Sequence, residues 1–302
     1  MRFTIIIPFL NSEKTLRKCL QSVVDQYFDD IEVILIDNGS TDKSTSVINE
    51  FKSLNIKYFI DKRGGIGKLR NIGIKNSTGD YILFLDSDDY FNRGLINCLQ
   101  NRIHTDLQEV DIIRFNANRI EYLSATNKEI NKYKLCEMLP QTPKTALNIF
   151  QQNQCEFGPL WLYCYKTEFI KQNKFRFLNH YIHEDLLNDY MLCKANKIAN
   201  IDFVGYNYVK NPNGVTAPKD PRNEKLRAKA IIKNYDYVSR LMIKYLKHDF
   251  EFLKLRMEIF KEMLIYNAKY FTGQTRMYYF NMIRKRERRY KNLIYMLKKC
   301  NV

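Results

Sequence analysis

The sequence predicts an α/β protein with a mostly parallel central sheet, followed by a helical C-terminal region. Over the first 92 residues, short apolar runs alternate with helix-like stretches, the pattern of a sheet built from right-handed crossovers. Two of those runs, Glu32–Asp37 and Tyr81–Asp86, end in aspartate. Beyond Pro221 the strand signal stops, and Leu241, Tyr245, Phe252, Leu255, Ile259 and Met263 recur at helical spacing, which predicts helices packed on the domain before them.

Taken in order, Thr4–Pro8 reads as a buried strand stopped by proline. Asn11-Ser12-Glu13 opens a helix with Ser12 as its cap, running to about Gln26 with Leu16, Leu20, Val23 and Val24 on one face. Glu32–Asp37 is a second buried strand. Asn38-Gly39-Ser40-Thr41-Asp42 turns the chain into a helix through about Ser53, and Ile56–Ile60 is a third strand. Arg63-Gly64-Gly65-Ile66-Gly67 is a loop leading to a helix with Lys68, Arg70 and Asn71; it lacks the P-loop pattern and is a weak phosphate signal. Ser77-Thr78-Gly79-Asp80 closes that helix. Tyr81–Leu85 then runs directly into Asp86-Ser87-Asp88-Asp89.

In an open α/β sheet, ligands bind beyond the carboxyl ends of the strands, so these acids face a ligand and not the core. Residues two apart on extended chain point the same way, which aims Asp86 and Asp88 into one cleft. Paired carboxylates there would hold a divalent cation against a phosphorylated ligand; the alternative is an exposed acidic turn. Asp37 would converge on the same crevice, with Arg70 supplying positive charge for a phosphate.

Composition narrows the classes. A chain of 302 residues is long enough for one compact domain plus an appended region. Its net charge of +16 calls for an anionic partner. Seven scattered cysteines without a C-x-x-C pair argue for a reducing compartment and against a zinc site. His104, His180, His183 and His248 lack the spacing of a catalytic triad. The apolar start is too brief for a signal peptide, and no run approaches the roughly 20 apolar residues of a membrane span, so the expected place is the cytoplasm or the inner face of the cell membrane.

Five motifs in order, Ile5-Ile6-Ile7-Pro8-Phe9-Leu10-Asn11, Ile36-Asp37-Asn38-Gly39-Ser40-Thr41-Asp42, Arg70-Asn71-Ile72-Gly73, Ser77-Thr78-Gly79-Asp80 and Leu85-Asp86-Ser87-Asp88-Asp89, resemble the inverting family 2 glycosyltransferases with the Rossmann-like GT-A fold. The resemblance implies a nucleotide-sugar donor, a UDP-sugar, and a glycan or lipid-linked glycan acceptor of surface polysaccharide synthesis. By it, Pro8, Phe9, Asn11, Asp37, Arg70, Asp86 and Ser87 surround the nucleotide, Asp86 and Asp88 hold Mn2+ or Mg2+, and Asp89 has a supporting role. A second segment, Trp161-Leu162-Tyr163 through Lys174-Phe175-Arg176-Phe177 to His183-Glu184-Asp185-Leu186, is similar to the family's acceptor side and makes Asp185 the general base. Tyr206 to Thr216 resembles the loop that closes over the donor diphosphate, which assigns a contact to Lys210, although Lys210 and Gly214 stand where arginine and serine are commoner.

The expected organisation is a glycosyltransferase domain at 1–220, with a nucleotide half at 1–92 and an acceptor half at 93–220, and a helical region at 221–302. The final segment carries nine cations, Arg276, Arg284, Lys285, Arg286, Arg288, Arg289, Lys291, Lys298 and Lys299, against the single Glu287. With aromatic and aliphatic residues interleaved, it reads as a basic amphipathic helix for an anionic membrane surface, with no nucleic acid involved. The competing readings are a nucleotidyltransferase of α/β fold and a non-catalytic nucleic-acid-binding protein using the basic tail. A solvated helix docked by one apolar face is the remaining alternative for the tail.

Overall fold

The computed structural model describes all residues except 121–132, 156, 179–184, 211–220, 269–270, 272 and 301–302. Among the described residues the chain forms two compact units, one of 1–180 with 191–214 and one of 181–190 with 215–302.

The first unit starts with β1 (Phe3–Phe9), α1 (Leu16–Val24), β2 (Ile31–Asp37), α2 (Ser44–Ile48), β3 (Asn55–Ile60), α3 (Ile66–Asn76) and β4 (Tyr81–Phe84). Every residue of β1, β2 and β4 is buried, which is why these strands read as unbroken apolar runs and not as alternation. They pair in parallel in the order β3-β2-β1-β4. The chain therefore steps outward from β1 to β3 and returns to the other side of β1, making a topological switch point between β1 and β4.

Two close approaches set this layer. A Cβ on Gly73 of α3 would lie 2.4 Å from Ile6 Cγ2, so only glycine lets α3 rest on β1. At the amino edge, the buried carboxylate of Glu32 on β2 accepts from Thr4 Oγ1 (2.6 Å), Thr78 N (2.9 Å) and Thr78 Oγ1 (2.8 Å) and pairs with Lys57. Burial alone would push this carboxyl up; Lys57 and the threonine donors outweigh it and pull it down to about 2. The Ser77–Asp80 motif is thus a structural clamp at the edge opposite the crevice.

The sheet continues through β5 (Tyr90–Phe91), α4 (Leu95–Thr105), β6 (Ile112–Ile120), β7 (Met138–Gln141), α5 (Pro143–Gln152), β8 (Tyr163–Lys166), α6 (Thr167–Gln172), α7 (Asp185–Lys194) and β9 (Ile198–Val209). β8 enters antiparallel between β4 and β6, β6 pairs in parallel with β9, and β9 carries β5 and β7 antiparallel, completing nine strands.

Several local expectations are corrected. α2 spans five residues instead of continuing to Ser53, because Phe51 folds back and is buried after a turn. α1 starts at Leu16 and not at Ser12, whose hydroxyl is engaged elsewhere. Tyr206–Val209 is strand and not loop, since β9 runs to Val209; the remainder of that motif, residues 211–216, lies outside the described residues.

The second unit holds α8 (Pro221–Leu246), α9 (Phe250–Asn267) and α10 (Gly273–Cys300), which pack on one another. Buried positions between Leu241 and Leu264 include Met242, Leu246, Phe252, Leu253, Met257, Phe260 and Leu264, whereas Tyr245 is 40% exposed. Of the expected stripe, Phe252 is buried and Leu241, Leu255 and Ile259 are half-buried, and Arg256 is buried among the apolar positions. No helix among the described residues is long and apolar enough to cross a membrane.

Candidate functional site

The carboxyl ends of β1 and β2 are in register, Phe9 opposite Asp37, and the loops that follow are tied together. Asn11, in the left-handed region at φ 49°, donates its N–H to Ser40 Oγ (3.0 Å) and accepts from Thr41 N (2.8 Å) through Oδ1. Ser12 N donates to Ser44 Oγ (2.8 Å) and Glu13 N to Asp42 Oδ2 (3.0 Å). Asp37 Oδ1 accepts from Gly39 N (2.9 Å), Ser40 N (2.7 Å) and Ser40 Oγ (2.7 Å), while Oδ2 accepts from Tyr58 Oη (2.9 Å). Asp37 and Asn11 therefore shape the crevice wall. Asp37 Oδ2, with one donor, has capacity toward a further group. Pro8 and Phe9 are buried at the end of β1, and the Phe9 ring stacks on Tyr58 at 6.4 Å.

The acid turn sits across the switch point. Leu85 N donates to Ile6 O (3.0 Å), which holds the chain beside β1 until it turns at Asp86. Asp86 Oδ1 accepts from Arg70 at 3.0 Å; Arg70 is 2% exposed and Asp86 is 32% exposed. α3 thus brings a guanidinium from the core to the acid turn, where Asp86 stays partly exposed. Ser87 Oγ and Ser12 Oγ share a hydrogen bond of 2.8 Å, joining the turn to the β1–α1 loop. Asp88 is half-buried beside them.

Asp89 is different. It is 1% exposed and accepts from Tyr206 Oη (2.7 Å) and Val209 N (2.7 Å). Tyr206 Oη in turn accepts from Asp86 N at 3.2 Å. Burial first, then the charges of Asp88 and Asp86, push the Asp89 carboxyl well above the ordinary carboxylate range. Trp161 stacks on Tyr206 (4.5 Å) and on Tyr208 (5.5 Å), stiffening the end of β9 from which Lys210, half-buried, projects. Tyr206, Trp161, Ser12 and Tyr58 are the residues sequence reasoning missed as members of this site. An aromatic alternation at Tyr206 and Tyr208 was the available signal.

Among the described residues no group of three or more His, Cys, Asp or Glu is set to hold a metal. The donor set at the turn is a pair, Asp86 and Asp88, with Asp89 committed to Tyr206 and Val209. Such a pair fits Mn2+ or Mg2+ that takes its other ligands from phosphate and water, since magnesium is bound through one or two carboxylates plus substrate phosphates. Asp185 is the first residue of α7; its side chain, like Glu184, His180 and His183, lies outside the described residues. The structure thus brings together Pro8, Phe9, Asn11, Asp37, Arg70, Asp86, Ser87 and Asp88 at one sheet edge, with Lys210 following the strand that grips Asp89.

Comparison with known proteins agrees with this architecture. Over 186 residues the chain is 33% identical to an uncharacterized glycosyltransferase of Haemophilus influenzae, spanning 56% of this chain and 73% of that one. It is 36% identical over 104 residues to glycosyltransferase GlyA of Streptococcus pneumoniae (34% of this chain), and 36% identical over 98 residues to poly(ribitol-phosphate) beta-N-acetylglucosaminyltransferase TarS of Staphylococcus aureus (31% of this chain). These two matches span only 15% and 17% of the relatives' own lengths. The crystal structure of a TarS fragment in complex with UDP-GlcNAc superposes with a TM-score of 0.62 at 21% identity, covering 91% of this chain and 83% of that one, which shows a shared GT-A fold. The family model described as Glycosyl transferase family 2 matches residues 4–168, more than half of the sequence, and the chain belongs to that family.

Proposed function

We propose that this protein transfers a hexose or N-acetylhexosamine from a UDP-sugar to a hydroxyl of a glycan or lipid-linked glycan of the cell envelope, with inversion at the anomeric carbon. The observation that carries the reading is the Arg70–Asp86 pair beside Asp88 at the switch point, an anchored acid turn facing the loop shaped by Asp37. In the transfer, the acceptor oxygen forms a bond to the anomeric carbon as that carbon's bond to the diphosphate oxygen breaks. The acceptor proton passes to the Asp185 carboxylate, and UDP leaves. General-base help of this kind contributes roughly 100- to 10,000-fold. A divalent ion held by Asp86 and Asp88 would supply neutralisation of the charge gathering on the diphosphate. Lys210 is suited to meet the same charge. Asp37 Oδ2, with Phe9 beneath it, is suited to the base.

The names of TarS, which acts on poly(ribitol-phosphate), and of a poly(ribitol-phosphate) beta-glucosyltransferase of Bacillus spizizenii, 42% identical over 96 residues, favour an envelope polymer as the acceptor class. Residues 221–302 carry 21 Lys and Arg against 7 Asp and Glu, +14 of the total +16, which supports attachment of this cytoplasmic enzyme to the anionic inner face of the membrane. The test is a thermal-shift screen of UDP-, GDP- and CMP-sugars with and without Mn2+. A ligand that binds only the native state at 100 times its Kd adds about 2.7 kcal/mol of stability. A metal-dependent shift with UDP-sugars is expected. Shifts by a nucleoside triphosphate instead, with pyrophosphate released on turnover, would replace this reading with nucleotidyl transfer.

A further inference from the structure

The first residues of α7, 185–190, belong to the same compact unit as the C-terminal helices, although more than 25 residues separate them in sequence from α8. What ties them there is a buried ion pair. Asp189 and Arg256 of α9 are each 1% exposed; Arg256 Nε donates to Asp189 Oδ2 at 3.2 Å, and its terminal nitrogen donates to Oδ1. Around it Leu186 and Leu187 are buried, and the Tyr190 ring meets Tyr245 edge-on at 6.3 Å.

Asp189 is thereby excluded as a base for the acceptor, because both its oxygens are engaged and it is shut off from solvent. Its position one helical turn after Asp185 gives it another use. A buried ion pair is a poor source of stability, since apolar residues of similar volume often do as well. What a two-bonded guanidinium–carboxylate fork supplies is angular definition, because both bonds must be satisfied at once. Resting on the reading of Asp185 as the base, we infer that Asp189 and Arg256 are positioning residues that set the first turn of α7.

The experiment compares Arg256→Lys, Arg256→Met, Asp189→Asn and Asp185→Asn in the full chain. Transfer kinetics with saturating donor are read beside UDP affinity by calorimetry and helix content by circular dichroism. Misplacing a catalytic group by about 1 Å can cost on the order of 100-fold, so Arg256→Met and Asp189→Asn are expected to lower kcat by about 10- to 100-fold, with UDP affinity within about twofold of the parent. Arg256→Lys keeps the charge and loses the fork, and is expected to retain more kcat than Arg256→Met. If Arg256→Met or Asp189→Asn loses helix content, Arg256→Lys decides alone. Full kcat in Arg256→Lys, or an equal fall of kcat and UDP affinity, overturns the inference while leaving the base assignment intact if Asp185→Asn is inactive. Normal transfer by Asp185→Asn removes the base assignment itself, and with it the reason for the pair.

Discussion

The two units of this chain solve different problems with different residues. Residues 1–220 are close to electrically balanced, 28 Lys and Arg against 26 Asp and Glu, and their charges are built into fixed positions. Glu32 is clamped at one edge of the sheet, Arg70 is buried against Asp86 at the other, and Asp37 accepts three bonds from its own loop and one from Tyr58. Residues 221–302 carry +14 of the net +16, and Arg276, Arg284, Lys285 and Arg288 stand exposed. A fixed charge is suited to recognising a small anion at one point, whereas a field of mobile surface cations attracts an extended anionic surface without specifying geometry. On the proposed reading, the net charge concerns a partner of residues 221–302, and the fixed charges of the acid turn concern the donor.

The contrast breaks most visibly at the acid turn. Asp88→Asn replaces a half-buried carboxylate of the acid turn with an amide of the same size, so the fold should survive while metal-dependent donor binding is lost. We expect transfer to fall by a factor of at least about 100, the scale seen when a preorganised electrostatic stabiliser is removed. The measurement is UDP affinity with Mn2+ and with EDTA. Retention of full activity in EDTA would show that fixed charge in the first unit does not act through a metal.

Much of this was legible in the sequence because the nucleotide half obeys local rules. Unbroken apolar runs in the sequence correspond to β1, β2 and β4, and Asp37 and Asp86 stand at or just past the carboxyl ends of β2 and β4. Local rules failed where tertiary bonds compete. Ser12 has the chemistry of a helix cap, yet its hydroxyl bonds Ser87, 75 residues away, and α1 starts four residues later. Tyr206 looked like part of a loop, but strand pairing with β5 and β6 carries it to the acid turn. The Asp189–Arg256 pair joins residues 67 apart on separate helices, and no periodicity encodes it.

A smaller effect, confined to stability, is expected at the opposite edge of the sheet. Glu32 has a folded-state value of about 2 against an ordinary 4.5, so its carboxylate stabilises the native state fully above pH 4.5 and progressively less as pH falls toward 2. Glu32→Gln should cost about 2–3 kcal/mol at neutral pH. The difference from the parent should shrink below pH 4.5. Urea unfolding of both proteins at pH 7 and pH 3 measures this, with UDP affinity at neutral pH unchanged because the clamp lies away from the crevice. Equal midpoints at pH 7 would show that desolvation cancels the clamp.

The smallest effect on turnover, and the sharpest test of the division between units, concerns α10. One face of this helix is already occupied: Tyr279 and Ile283 are buried, Arg286 forks onto Asp236 of α8, and Glu287 accepts from Lys261 of α9 at 2.7 Å. Arg286 therefore belongs to the docking of the helix, and the cations open to an outside partner include Arg284, Lys285 and Arg288. Reversing those three to glutamate spares the docked face. Each basic residue near an anionic bilayer is worth about 1 kcal/mol, so the triple variant should lose binding to phosphatidylserine vesicles by a factor on the order of 100 or more. Turnover on a short soluble acceptor should stay within about twofold, because the proposed function gives none of the three a role in transfer. Added salt should weaken vesicle binding of the parent and narrow the gap between the two proteins. Equal vesicle binding by both would remove the membrane from the account. If vesicle binding is absent in both while turnover on a polymeric phosphodiester acceptor falls in the variant alone, the cations serve the acceptor, and the second unit reads a chain of phosphates instead of a sheet of lipid headgroups.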